Sequence, residues 1–332
     1  MKKQKALALV YGGDSSEWEV SVWSGRHVAT HIDTDKYSVY EILLRGNDWR
    51  AVKKDGVACD TPIDKTDFSV VWNDEKALFD VALIMIHGTP GEDGILQSYL
   101  ESLHIPYTSS NSVVSALTFD KYACKCYLRD AAIPMAKEVL LKQNENFDEQ
   151  AIVEQLGLPL FVKPNDGGSS FGAAKVKRME EFKQAVERAF AECPAVLVEE
   201  FIAGRELTNG MLKTANQRIV LPVTEIVSKN DFFDYQAKYQ GASNELTPAP
   251  ITDALRDKVQ QLTSKIYDCL GCKGFIRIDY IAKGEDVLFL EVNTVPGMTE
   301  MSLVPQQVRA TGMSMGTFLD LLIEDAIVGH DG

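Results

Sequence analysis

Two carboxylates and an amide stand where they could grip a divalent cation. In "VLFLEVNTVPGM", Val287 to Met298, an apolar run ends with Glu291 and Asn293 two residues apart, just before a Pro-Gly turn. Strand side chains alternate faces, so Phe289, Glu291 and Asn293 are expected on one side, and a carboxylate buried there needs a partner. The preceding run, "GFIRIDYIA", puts Arg277 and Asp279 on one face by the same period. If the two strands are antiparallel neighbours, Asp279, Glu291 and the side-chain oxygen of Asn293 converge. That is the hard-oxygen set that holds magnesium beside nucleotide phosphates, and Arg277 could meet developing negative charge. The plainer reading is a buried Arg-Asp pair and a capping Asn. The agreement of two strands favours the metal.

A second signal lies in "LPLFVKPNDGGSSFGAAKV", where Lys163 ends a strand and a glycine-rich loop returns into another apolar run. Successive backbone N–H groups and the hydroxyls of Ser169 and Ser170 suit phosphate, with lysine adding charge. The G-K-[ST] ending and following helix of a Walker loop are absent. Read alone, this loop is equally a flexible hairpin. "GGDSSEWEVS" at the first strand end lacks the third glycine of a dinucleotide fingerprint, so a dehydrogenase is disfavoured. Glu17 there is either a first-turn helix charge or the acceptor of a substrate ammonium. His87, at another strand end, is either hydrogen-bonded structure or a substrate contact.

These residues need a scaffold, and 332 residues allow two or three domains with real cores. The net charge of −14 disfavours nucleic acid and anionic membranes as partners and leaves small molecules. The basic, apolar start stops at Gly12-Gly13 without a cleavage-like site, so it reads as a first buried strand rather than a leader. No run reaches membrane-spanning length, and a soluble, cytoplasmic protein is expected. Cys269 and Cys272 form C-x-x-C at a helix end with no nearby histidine; all six cysteines read as small buried thiols. A βαβ start, a parallel-type strand ending at His87 and a helix capped by Asp93 make up a first α/β domain. A compact α+β unit follows, then a long polar loop over "VSKNDFFDYQAKYQGASNELTPAP". The helix "DALRDKVQQLTSKIYDCLG" has Leu255, Val259, Leu262 and Ile266 on one face.

With "GGDSSEWEVS", "HGTPGEDGILQ", Asp120-Lys121, "KPNDGGSSFG", "YQAKY", "RIDY", "EVNTVPGMT" and Ser302 in this order, the chain resembles the D-alanine-D-alanine ligases of the ATP-grasp superfamily. The resemblance runs nearly end to end. Ser98, "YTSS" and Glu200 depart from the usual residues, and the last touches only local nucleotide contacts. The resemblance implies an α/β fold of three domains. An N-terminal Rossmann-like domain would cover 1–118, and two α+β domains, 119–200 and 201–332, would clasp the nucleotide. It implies that Lys121, Lys163, Ser170, Glu199, Ile202 and Glu206 hold ATP, with Lys238 near the γ-phosphate. Asp279, Glu291 and Asn293 would bind two magnesium ions, with manganese able to substitute. Glu17 would take the first D-alanine's ammonium, and Ser169 and Tyr239 would join it as two loops close. Arg277 and the N–H of Gly297 would stabilise the oxyanion; Ser302, with His87 nearby, would bind substrate. Relatives making D-alanyl-D-lactate generally lack the tyrosine loop, so Tyr239 points to an amine acceptor. A homodimer is implied as well. The rivals are a ligase using D-lactate or D-serine, and a non-catalytic nucleotide-binding protein.

Overall fold

The computed structural model describes residues 4–168, 171–228 and 243–329. Ser169, Ser170, Lys238 and Tyr239 lie outside the described residues. In the first sheet, Lys5–Gly12 pairs in parallel with Tyr37–Arg45 and Val81–Ile84, and the latter with Tyr107–Thr108. Leu7, Ala8, Leu9 and Val10 are all fully buried, as expected of a parallel strand covered on both faces. Helix Trp18–Ala29 makes the first crossover. It comes very close to the sheet because Gly25 has no side chain: a Cβ there would lie 2.3 Å from the Tyr11 ring. Beyond Arg45 the sheet continues antiparallel through Asp48–Lys54, Val57–Asp64, Ser69–Trp72 and Glu75–Ala77. The first two of these strands are largely polar and partly exposed, so no apolar run announces them. The helix after His87 runs Ile95–Ser102 with Gly94 (φ 87°), not Asp93, at its cap position; the Asp93 carboxylate instead accepts the Ile95 N–H at 3.1 Å.

The second sheet is wholly antiparallel, in the order Ala174–Val176, Leu160–Pro164, Ala195–Glu200, Glu138–Lys142. Helix Met179–Phe190 covers it with Phe182, Ala185, Val186 and Ala189, a stripe of helical period set against Leu160, Val162, Val196 and Val198. The third sheet runs Ser243–Leu246, Thr224–Ser228, Arg205–Lys213, Gly274–Lys283, Asp286–Asn293. Helix Asp253–Leu270, capped by Thr252, buries Leu255, Val259 and Ile266 against it, while Leu262 stays partly exposed.

The last two strands of that sheet are the expected antiparallel neighbours, but a bulge interrupts them. Asp279 pairs with Glu291, whereas Tyr280 pairs with Phe289, leaving Leu290 as the extra residue. The alternation therefore slips by one. Phe289 does not share a face with Glu291 and Asn293; it packs in the core with Tyr280, and Leu290 and Glu291 both turn to the cleft. The bulge lets one strand bury its aromatic and still present its carboxylate.

The final helix, Met315–Val328, packs under the first sheet: Phe318, Leu319, Leu322 and Ile323 join Leu7, Leu9, Val81 and Leu83 in one core. Among the described residues no helix is long and apolar enough to cross a membrane. All six cysteines are free thiols; Cys124, Cys193 and Cys272 are buried, but Cys59, Cys126 and Cys269 are partly exposed.

Candidate active site

Two cavities, of about 480 and 380 Å³, meet where the bulged strand pair ends. Glu17, Phe119, Lys121, Gly167, Gly168 and Glu291 line both. The larger one is floored by the second sheet and takes in Lys163, Glu199, Ile202, Glu206 and Asp279. The smaller is walled by His87, Glu92, Arg277, Asn293, Gly297 and Ser302. Every expected site residue that is described therefore lines one cavity or both.

In the larger cavity the ion pairs are buried and shared. Glu199 receives Lys163 Nζ at 2.8 Å on Oε2 and Lys125 Nζ on Oε1. Burial pushes the Glu199 carboxyl up, but the two ammonium groups overcome it and hold its pKa at about 2. Burial likewise works against the Lys163 ammonium, yet Glu199 and then Glu291 raise its pKa. Lys125 is fully buried; the sequence reading missed it, although it stands four residues after Lys121 on one helix face. Lys121 reaches the loop carbonyl of Gly167 at 2.7 Å and Glu291 Oε2 at 3.7 Å.

At the junction, Asp279 and Glu291 face each other across one register pair, with Arg277 opposite Asn293 two positions along the same strands. Asp279 Oδ1 accepts from Arg277 Nε at 2.9 Å and Thr208 Oγ1 at 2.6 Å; Oδ2 accepts from Arg277 Nη2 at 2.7 Å and Asn293 Nδ2 at 3.3 Å. The plainer Arg-Asp pair is thus present together with the oxygen-rich juxtaposition. Among the described residues no three His, Cys, Asp or Glu side chains form a metal-binding group. Two carboxylates beside an amide are a sparser set, of the kind magnesium uses when phosphate and water complete its shell.

In the smaller cavity, Glu17 stands at the cap position of helix Trp18–Ala29 and is 8 % exposed. Gly168 of the glycine loop lies against it: a Cβ there would be 2.2 Å from Glu17 Oε2. His87 is buried with both ring nitrogens engaged, Nδ1 with the Val295 carbonyl at 2.8 Å and Nε2 with Ser24 Oγ at 3.0 Å. Burial lowers its pKa, against the pull of Glu17, so the ring is neutral. A carbonyl only accepts, so Nδ1 carries the proton and Nε2 accepts from Ser24. Glu92, quoted within a motif but given no role, accepts the N–H groups of Gly88 (2.7 Å) and Val295 (3.3 Å). Burial first, and then Glu17, push its carboxyl up to about 8, which limits like-charge repulsion beside Glu17. Ser302 caps helix Leu303–Ala310 by position and accepts the Thr299 N–H at 3.0 Å.

Comparison with known proteins bears on all of this. The family model for the D-ala D-ala ligase N-terminus matches residues 6–110, and that for the D-ala D-ala ligase C-terminus matches 127–324. A D-alanine–D-alanine ligase of Phocaeicola vulgatus is 47% identical over 323 residues, 97% of this chain and 99% of the relative. Among solved structures, the VanG D-Ala:D-Ser ligase of Enterococcus faecalis aligns with a TM-score of 0.85 at 32% identity, over 98% of this chain and 100% of that one. The D-alanine–D-alanine ligase of Bacillus anthracis complexed with ATP aligns with a TM-score of 0.79 at 28% identity, over 98% and 99%.

Proposed function

The chain belongs to the D-alanine–D-alanine ligase family of ATP-grasp enzymes, and from that premise we propose how its two cavities divide the work. The protein is an ATP-dependent ligase that joins two D-alanines to D-alanyl-D-alanine for peptidoglycan. The observation that carries the assignment is the Asp279–Glu291 register pair at the junction of the cavities.

ATP occupies the larger cavity. Glu199, Ile202 and Glu206 hold the nucleoside, and Lys121, Lys163, the hydroxyl of Ser170 and Lys238 meet the phosphates. A carboxylate is a poor acyl donor, so the first D-alanine attacks the γ-phosphate, giving an acyl phosphate and ADP; cations must neutralise the crowded phosphate oxygens. The donor chemistry of Asp279, Glu291 and Asn293 fits two magnesium ions, or manganese in their place. When bound, these ions supply charge neutralisation to the triphosphate. Arg277, forked onto Asp279, stands two residues from it along the same strand and faces the smaller cavity.

D-Alanine occupies the smaller cavity, its ammonium on Glu17. The amine of the second D-alanine, its carboxylate at Ser302 with His87 nearby, attacks the acyl phosphate carbon. The resulting oxyanion is met by Arg277 and the Gly297 N–H, and phosphate leaves as the peptide bond forms. Water would hydrolyse the acyl phosphate unproductively, so Ser169 and Tyr239 close over it with Glu17.

The division into 1–118, 119–200 and 201–332 is supported by the three sheets, which span Lys5 to Thr108, Glu138 to Glu200 and Arg205 to Asn293. Dependence on ATP favours the cytoplasm. A homodimer is supported by Ile95 and Val113, apolar and well exposed at adjoining helix starts. The resemblance to a D-Ala:D-Ser ligase makes the acceptor the decisive measurement. Phosphate release and product analysis with D-alanine, D-serine and D-lactate as acceptors should give D-alanyl-D-alanine as the main product. Preferential use of another acceptor, or ATP binding without D-alanine-dependent phosphate release, would overturn the assignment.

A further inference from the structure

The loop that carries Gly297 is held by side chains from far away in the chain. Val295 gives its N–H to Glu92 and its carbonyl to His87 Nδ1. Met298, on the other side of Gly297, gives its N–H to Ser24 Oγ at 3.1 Å, and its carbonyl accepts His27 Nδ1 at 2.6 Å. Ser24 and His27 stand three residues apart on helix Trp18–Ala29, hence on one face. One helix therefore grips both polar groups of a single buried peptide residue. The same helix begins at Glu17 and is seated against Tyr11 through Gly25.

We infer that Ser24 and His27 are positioning residues for the ligation step: by clamping Met298 they set the Gly297 N–H in register with Glu17 on the same helix. The chemistry explains the need. Glu17 lies near the start of the chain and Gly297 near its end, yet the carbonyl carbon of the substrate held by one must present its oxyanion to the other. Donors of this kind work only when fixed within a fraction of an ångström. Ser24 suits the task because one hydroxyl does two things, accepting from Met298 and donating to His87 Nε2. His27 completes the grip from the partly exposed side, where its Nδ1–H meets the Met298 carbonyl at 2.6 Å.

This inference rests on the proposed role of Gly297 and deepens it. Its signature is uncoupling. A loosened clamp leaves the ATP cavity untouched, so the acyl phosphate still forms, but slower capture by the second amine gives water time to destroy it. The experiment compares His27→Leu, His27→Asn and Ser24→Ala with the unmodified enzyme, measuring kcat, the KM for ATP, and phosphate released per dipeptide formed. Asparagine keeps an N–H donor near the Nδ1 position; leucine does not. Expected are one phosphate per dipeptide for the unmodified enzyme and a clear excess of phosphate for His27→Leu. Its kcat should fall on the order of tenfold, short of the roughly hundredfold lost with an oxyanion donor itself, at unchanged KM for ATP. His27→Asn should return the ratio towards one. Ser24→Ala should behave like His27→Leu; if it does not fold, the half-exposed His27 pair carries the test. A ratio that stays at one in His27→Leu, whether or not kcat falls, overturns the inference, as does a loss that asparagine does not restore. If the unmodified enzyme releases no phosphate with D-alanine, the underlying function fails instead.

Discussion

Replacing Gly168 by alanine would test the close approach of the glycine loop to Glu17. A Cβ at this position would stand 2.2, 2.8 and 2.9 Å from Oε2, Cδ and Oε1 of Glu17. Ordinary contact begins at 3.4 Å, so the shortfall is about 1.2 Å. The backbone of Gly168 has no positive φ to forbid a side chain, and the loop is only partly buried. Folding should therefore be indifferent or gain a few tenths of a kcal/mol from the stiffer unfolded chain. The strain falls on the carboxylate, which must swing aside by about an ångström, or on the loop, which must lift by as much. Misplacement of that size in a binding group costs up to roughly a hundredfold. We expect the KM for D-alanine at the first site to rise by about ten- to a hundredfold, with a smaller change for ATP. The assay is ADP release against D-alanine concentration, beside a thermal melt. In a Glu17→Gln background the added effect should shrink, because the two changes share one contact. An unchanged KM for D-alanine with an intact fold would refute the placing of the ammonium on Glu17.

Glu291→Gln should abolish turnover without unfolding the protein, since its side chain is 27% exposed; full activity retained by the variant, at saturating magnesium as at lower concentrations, would reject its metal role. Lys125→Met should destabilise the fold by about 3 kcal/mol or more, because it strips one of two partners from a buried carboxylate, and should raise the KM for ATP as Glu199 turns wholly to Lys163. Urea denaturation and an ATP titration check both halves. Glu199 also predicts an acid limb. Its folded pKa of about 2 lies below the ordinary 4.5, so its stabilisation is complete above about 4.5 and is lost as pH falls towards 2. Stability of Glu199→Gln should fall less steeply than wild type between about pH 5 and pH 3, and parallel curves would reject the pairing.

The chemistry was more legible in the sequence than the scaffold. Asp279 and Glu291 could be set face to face because period two and a short connection leave little freedom. Phe289 was misplaced because a bulge is a tertiary compromise with no local residue signature. The polar strands Asp48–Lys54 and Val57–Asp64 went unread for want of apolar alternation. Lys125 was invisible as a buried ion, since lysine on a helix ordinarily reads as solvated. Ser24 and His27 needed three-dimensional proximity to a loop near the other end of the chain.

The last helix has a consequence for how the molecule comes into being. Phe318, Leu319, Leu322 and Ile323 complete the hydrophobic interior beneath the very first strand. During synthesis, that strand's sheet leaves the ribosome long before the segment that seals its lower surface. Its apolar underside must wait, shielded or exposed, until Met315–Val328 has also emerged. A nascent chain stopped just before Met315 should thus remain protease-sensitive at its amino-terminal end, and only release of the closing residues should render it resistant.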